Sequence, residues 1–149
     1  MKLNKDGYEL ICKFEGLMLN PYLCSAKVPT IGYGNTYYPN GKKVTLLDGP
    51  ITKDYALEIF KIIADKYALR VSKLIISEIN QNQFNSLVSF AYNVGVASFQ
   101  KSTLLKKVNA NPNDKTIANE FKKWCRAGGI VVQGLINRRE LEIRNYDKK

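Results

Sequence analysis

The chain has no histidine, and only three of its 149 residues are cysteine. Without imidazole, no mechanism that needs histidine as its base is open, and a zinc site loses its commonest partner. Cys12, Cys24 and Cys125 are odd in number and form no CxxC pair, which argues against a disulfide framework. No apolar run approaches the roughly 20 residues that span a bilayer. Met1-Lys2-Leu3-Asn4-Lys5-Asp6 has neither an apolar h-region nor a small-residue cleavage site, so the expectation is a protein kept in a cytoplasm until something releases it. No block of five or six like charges occurs, and there is no repeat or low-complexity tract. Acid is scarce in one place above all: from Leu10 to Leu47, Glu15 is the only carboxylate.

What is present belongs to a globular chain. Hydrophobic residues make up 45%, with nine Tyr, six Phe and one Trp. A chain of this length buries roughly 70% of its unfolded surface, enough for one compact domain. Twenty-three Lys and Arg against 13 Asp and Glu give a net charge of +10. The basic residues are scattered, so they make a diffuse field. Such a field aids encounter with an anionic polymer without reading its sequence, and no helix-turn-helix or aromatic ribbon points to nucleic acid.

Periodicity divides the chain into a short β-containing part and a helical remainder. Leu3 to Glu15 reads as an amphipathic helix capped by Asn4 or Asp6 and closed at Gly16. Glu15 would then sit at the negative end of the helix dipole, where the protonated acid is favoured. Residues 20–46 read as a small antiparallel sheet of about three strands, with Pro39-Asn40-Gly41 as a hairpin turn. Thr52 caps a helix that runs to about Leu74. Four more helices are expected: Asn80 to Val94, Thr103 to Val108, Asp114 to Cys125 and Leu135 to Tyr146. The expected class is α+β and mostly helical, one domain over 1–149. Its N-terminal lobe covers about 1–55, the connecting helix about 53–74, and the helical C-terminal lobe about 80–149.

Glu15, eight residues, Cys24, five residues, Thr30 is the most informative spacing. Cleaving a glycosidic bond takes an acid on the leaving oxygen and a second group that positions water or traps an oxocarbenium-like centre. Glu15 is the only local acid, and a hydroxyl such as that of Thr30 can hold water. The triplet resembles the motif of the phage-type lysozyme (endolysin) family, glycoside hydrolase family 24, where Asp or Cys fills the middle position. Phe14-Glu15-Gly16-Leu17, Thr30-Ile31-Gly32-Tyr33-Gly34, Gln83 to Gly95, Trp124 and Gly134-Leu135-Ile136-Asn137-Arg138-Arg139 are similar to family segments in family order.

The resemblance implies a lysozyme-like fold and hydrolysis of the bond between N-acetylmuramic acid and N-acetylglucosamine in peptidoglycan, for host lysis. The rival expectation is a catalytically impaired wall binder of the same fold. Glu15 would be the general acid, Cys24 a base, water-positioner or nucleophile, and Thr30 the water-orienting hydroxyl. Asn93, Tyr33 and Phe99 would contact the glycan, and Arg138 or Arg139 would either contact it or reach Glu15. No metal and no cofactor is implied. The partner would be the glycan strand, met by a monomer without membrane insertion after it leaves the host cytoplasm. A thiol has an ordinary pKa of about 8.5, so Cys24 needs surroundings that favour the thiolate. Lys27 is the nearest charge in sequence. Disulfide formation with Cys12 or Cys125 would switch such a thiol off.

Overall fold

A computed structural model describes all residues, 1–149. It is α+β and mostly helical, as expected, and falls into two compact units. One is residues 12–66; the other joins residues 1–11 to 67–149. Charge divides unevenly between them. The second unit holds sixteen basic and eight acidic residues, a net of +8. Residues 12–66 hold seven and five, a net of +2.

In residues 12–66, β1 (Met18–Leu23) pairs antiparallel with β2 (Pro29–Gly32), placing Tyr22 opposite Thr30 and Met18 opposite Gly32. The register slips between Met18 and Tyr22, where Pro21 has no N–H to offer the ladder. The third strand does not form. In its place are two single bridges, Ile31 with Asn35 and Tyr37 with Lys43. The Asn-Gly turn does form: Gly41 takes φ +84° and its N–H donates to the Tyr38 carbonyl at 2.9 Å. Ile31, Val44, Ala56, Ile59, Phe60 and Ala64 are buried in this unit.

The first helix, α1 (Lys5–Cys12), stops three residues short of Glu15. The Glu15 N–H bonds the Cys12 carbonyl at 3.0 Å, a single tight turn beyond the helix. Gly16 is not among the left-handed glycines. Glu15 therefore stands in a turn after the helix and not in its last residue. α2 (Lys53–Leu74) starts where expected, with the Tyr55 N–H on the Thr52 hydroxyl at 3.1 Å.

The larger unit is built on α3 (Gln81–Val94). Asn80 and Gln83 close a capping box, each side chain accepting the other's backbone N–H at 2.8 and 2.9 Å. Residues Gln83 through Ala91 are all buried, so this is a central helix with no solvent face along that stretch. Around it stand α4 (Val96–Lys101), α5 (Thr103–Ala110), α6 (Ile117–Lys122) and α7 (Gln133–Tyr146), with α7 packed most extensively on α3. The Phe90 ring meets Phe121 and Trp124 edge-on at 5.5 and 5.4 Å.

Two further features differ from expectation. α6 is six residues long, because the Asp114 carboxylate folds back onto the Thr116 N–H and hydroxyl and spends that segment on a turn. Gly128-Gly129, both at positive φ, turn β3 (Arg126–Ala127) back on β4 (Ile130–Val131) as a small hairpin. No helix is long and apolar enough to cross a membrane.

Candidate active site

Three of the sequence candidates fall in the smaller unit. Cys24 sits at the mouth of the β1–β2 hairpin. Its N–H donates to the Val28 carbonyl at 3.1 Å, and its carbonyl accepts the Lys27 N–H at 2.8 Å. Lys27 pays for this turn with φ +59°, unusual for a side-chain-bearing residue. Thr30, 2% exposed, donates its hydroxyl to the Val28 carbonyl at 2.8 Å.

The Cys24 thiol is held below its ordinary pKa, first by the Val28 backbone N–H, then by the Thr30 hydroxyl and the Ala26 backbone. Oriented amides do what the sequence assigned to the charge of Lys27, which is not among the causes. The Thr30 hydroxyl has one proton and two acceptors in reach, the Val28 carbonyl and the sulfur. Loss of the Cys24 proton draws it toward sulfur. Thr30 is thus engaged with Cys24 and the hairpin backbone.

Glu15 faces Gly34. A Cβ at Gly34 would lie 2.9 Å from Glu15 Oε2, and Gly34 holds φ +81°. Sequence reading placed Gly34 in the motif but did not see it as a wall of the carboxylate's socket; an X-Gly pair beside strand residues is the only hint. Tyr22 senses the charge of both groups. Burial raises its phenol first, and the negative charges of Cys24 and Glu15 raise it further. Register puts Tyr22 on the same face as Thr30. Cys12 lies in the same neighbourhood with the opposite tuning. Burial and the Glu15 charge push its thiol up to about 11, against the pull of Lys61. The two thiols are thus shifted in opposite directions, Cys24 toward the thiolate and Cys12 away from it. Tyr33 is half-buried, its ring edge-on to Phe60 at 5.7 Å.

The remaining candidates lie in the larger unit. Asn93 is exposed near the end of α3. Phe99 is fully buried against Phe90 at 6.1 Å, so its ring is core and not open to a glycan. Arg138 and Arg139 are 3% and 1% exposed, too enclosed to form a wall-facing basic pair. Arg138 donates to the Ser89 carbonyl at 3.0 Å. Arg139 donates to the Glu142 carboxylate at 2.6 Å, to the Trp124 carbonyl at 3.0 Å and to Asn93 Oδ1. Glu142, which sequence reading passed over, is fully buried and also accepts the Ser89 hydroxyl at 2.7 Å. Burial pushes its carboxyl up, and the two guanidiniums pull it back. Its spacing of three and four residues from Arg139 and Arg138 on one helix was the available signal. No group of three His, Cys, Asp or Glu gathers as a metal site.

Residues 12–142 match the phage lysozyme family. The endolysin of Bacillus phage B103 is 38% identical over 144 residues, 95% of this chain and 52% of that one, so the chain spans about half the length of that curated relative. The solved endolysin of Escherichia coli O157:H7 phage FAHEc1 superposes with TM-score 0.91 at 36% identity, over 99% of this chain and 94% of that one. The muramidase domain of SpmX from Asticaccaulis excentricus superposes with TM-score 0.84 at 27% identity, over 99% of both.

Proposed function

The chain belongs to the phage lysozyme family, and we propose that it hydrolyses the β-1,4 bond between N-acetylmuramic acid and N-acetylglucosamine in peptidoglycan, in the lysis of a bacterial host. Glu15 is the general acid, giving its proton to the leaving glycosidic oxygen. Cys24, as thiolate, takes a proton from the water that attacks the electron-poor sugar carbon. Thr30 is the positioning hydroxyl that keeps the sulfur anionic and aimed.

The observation that carries this reading is the hairpin mouth. Backbone N–H groups and the Thr30 hydroxyl lower the Cys24 thiol where the two-group reaction needs an anion. The positive field suits an anionic wall. Asn93 is the glycan-facing residue of the larger unit. The protein acts as a monomer and gathers in the host cytoplasm before reaching the wall.

Purified walls test this. Turbidity should fall, and new reducing ends should appear at muramic acid. Wall binding with no new reducing ends under reducing conditions would leave a binding protein in place of a hydrolase.

A further inference from the structure

Residues 45–48 form a β-turn whose two central residues are Leu46 and Leu47. The Asp48 N–H closes it on the Thr45 carbonyl at 3.2 Å. Such positions ordinarily go to Gly, Pro, Asn, Asp or Ser. Here they carry leucine. Leu46 is 51% exposed and Leu47 97%, which makes Leu47 the most exposed large hydrophobic side chain of the protein. The tip is nevertheless ordered. The Asp48 carboxylate accepts the Thr45 N–H at 3.0 Å, the Thr45 hydroxyl at 2.7 Å and the Tyr38 hydroxyl at 2.6 Å. Behind it Val44 is buried, its N–H on the Thr36 carbonyl at 2.9 Å.

The charge beside the tip is positive. Lys42 and Lys43 are exposed just before it, and Lys43 is bridged to Tyr37, itself exposed. The one acid among residues 36–52 is Asp48, whose oxygens are engaged in those three hydrogen bonds.

We infer that the 45–48 turn docks on an anionic lipid bilayer, seating Leu46 and Leu47 among the acyl chains with Lys42 and Lys43 at the lipid phosphates. A glycan offers hydroxyls, and leucine side chains have no polar group to meet them. A bilayer face offers an apolar layer with phosphates above it, and lysine stems reach from one to the other. Because Asp48 already orders the turn, adsorption costs little further freedom. No helix is long and apolar enough to cross the bilayer, so the contact is confined to its face.

The test is sedimentation of the full chain with vesicles of phosphatidylcholine, alone or mixed equally with phosphatidylglycerol. The wild type should bind the mixed vesicles. Leu46→Ser/Leu47→Ser should weaken that binding about tenfold or more, by a ratio that salt does not change. Lys42→Gln/Lys43→Gln should weaken it about tenfold at low salt, by a ratio that shrinks toward one as salt rises. Leu47→Trp puts a reporter at the tip. Above the constant signal of Trp124, its emission should shift to the blue on mixed vesicles and be quenched by lipids brominated in the acyl chain. All four replaced side chains are exposed, so the variants fold.

Absence of wild-type binding overturns the inference. So does equal binding by the leucine variant, or Leu47→Trp emission that lipid bromine leaves unquenched, since the diffuse charge of the chain would then account for the binding. On membrane-free walls the leucine variant should clear at the wild-type rate; slower clearing puts the turn on the glycan and overturns the inference too. Failure on vesicles leaves the hydrolase reading intact, and a chain that binds vesicles but releases no reducing ends does the reverse.

Discussion

Replacing Gly34 with alanine separates backbone strain from displacement of a carboxylate. At φ +81° any side chain is strained, by about 1 kcal/mol or somewhat more. The added Cβ would also meet Glu15 Oε2 at 2.9 Å, where ordinary contact begins at 3.4 Å. Because the obstructing atom ends a side chain, the carboxylate gives way, moving by about half an ångström. Catalytic groups must be held to about that tolerance, and a 1 Å misplacement costs about a hundredfold in rate. Gly34→Ala should therefore lose about tenfold or more in wall-clearing rate, with a fall in melting temperature of about 2–4 °C for each kcal/mol.

Gly41→Ala is the matched control. Its φ is +84°, in the same unit, and nothing lies within 4 Å of its Cβ. It should show a similar melting shift and keep its clearing rate within about twofold. If Gly34→Ala also stays within twofold of wild type while both melt early, the position of Glu15 does not limit the rate, and the acid assignment loses its geometric support.

Glu15→Gln should abolish reducing-end release and leave the melting temperature unchanged; residual hydrolysis near wild type would remove Glu15 as the acid. Cys24→Ala should lose most activity and Cys24→Asp should retain it. Wild-type activity should fall on acidification, as the thiolate takes up its proton, and Cys24→Asp should carry that limb down toward the carboxylate range of about 4. An identical acid limb in both would show that the sulfur does not titrate in the reaction. Tyr38 is pushed up to about 12 by burial and by its hydrogen bond to Asp48, at 2.6 Å. Its contribution to stability is full below the unfolded phenol value of about 10 and is lost as pH rises through about 12. Denaturation of Tyr38→Phe across that window should show a shallower alkaline decline. Phe99→Ala should cost about 3–5 kcal/mol of stability as a core cavity and leave KM within twofold when assayed well below its melting point; a KM rise in a stable variant would put the ring on the glycan.

The helical scaffold was legible where one device decides it. Thr52 and the Asn80–Gln83 box start their helices where the residues say, and Gly95 ends one. The short segments were not. α1 stops at Cys12 although apolar residues continue to Phe14, because a tight turn and not a glycine cap ends it. The expected third strand dissolved into two bridges, since single pairings around Gly34 and Tyr37 satisfy the backbone there.

The site shows the same boundary. Spacing put Glu15, Cys24 and Thr30 forward, and the structure places all three in residues 12–66. What tunes Cys24 is first the Val28 amide, whose direction no side-chain pattern encodes, and then the Thr30 hydroxyl, which the spacing did bring forward. Charged residues misled in one respect: Arg138 and Arg139, expected to contact the glycan or reach Glu15, are buried with Glu142.

The uneven division of charge has a kinetic consequence. An anionic surface attracts in proportion to the charge it meets, and at low salt it does so over a Debye length of about 10 Å or more. Residues 1–11 and 67–149, bearing +8, would feel that attraction more strongly than residues 12–66, bearing +2. Salt would then slow capture far more than it slows the chemical step.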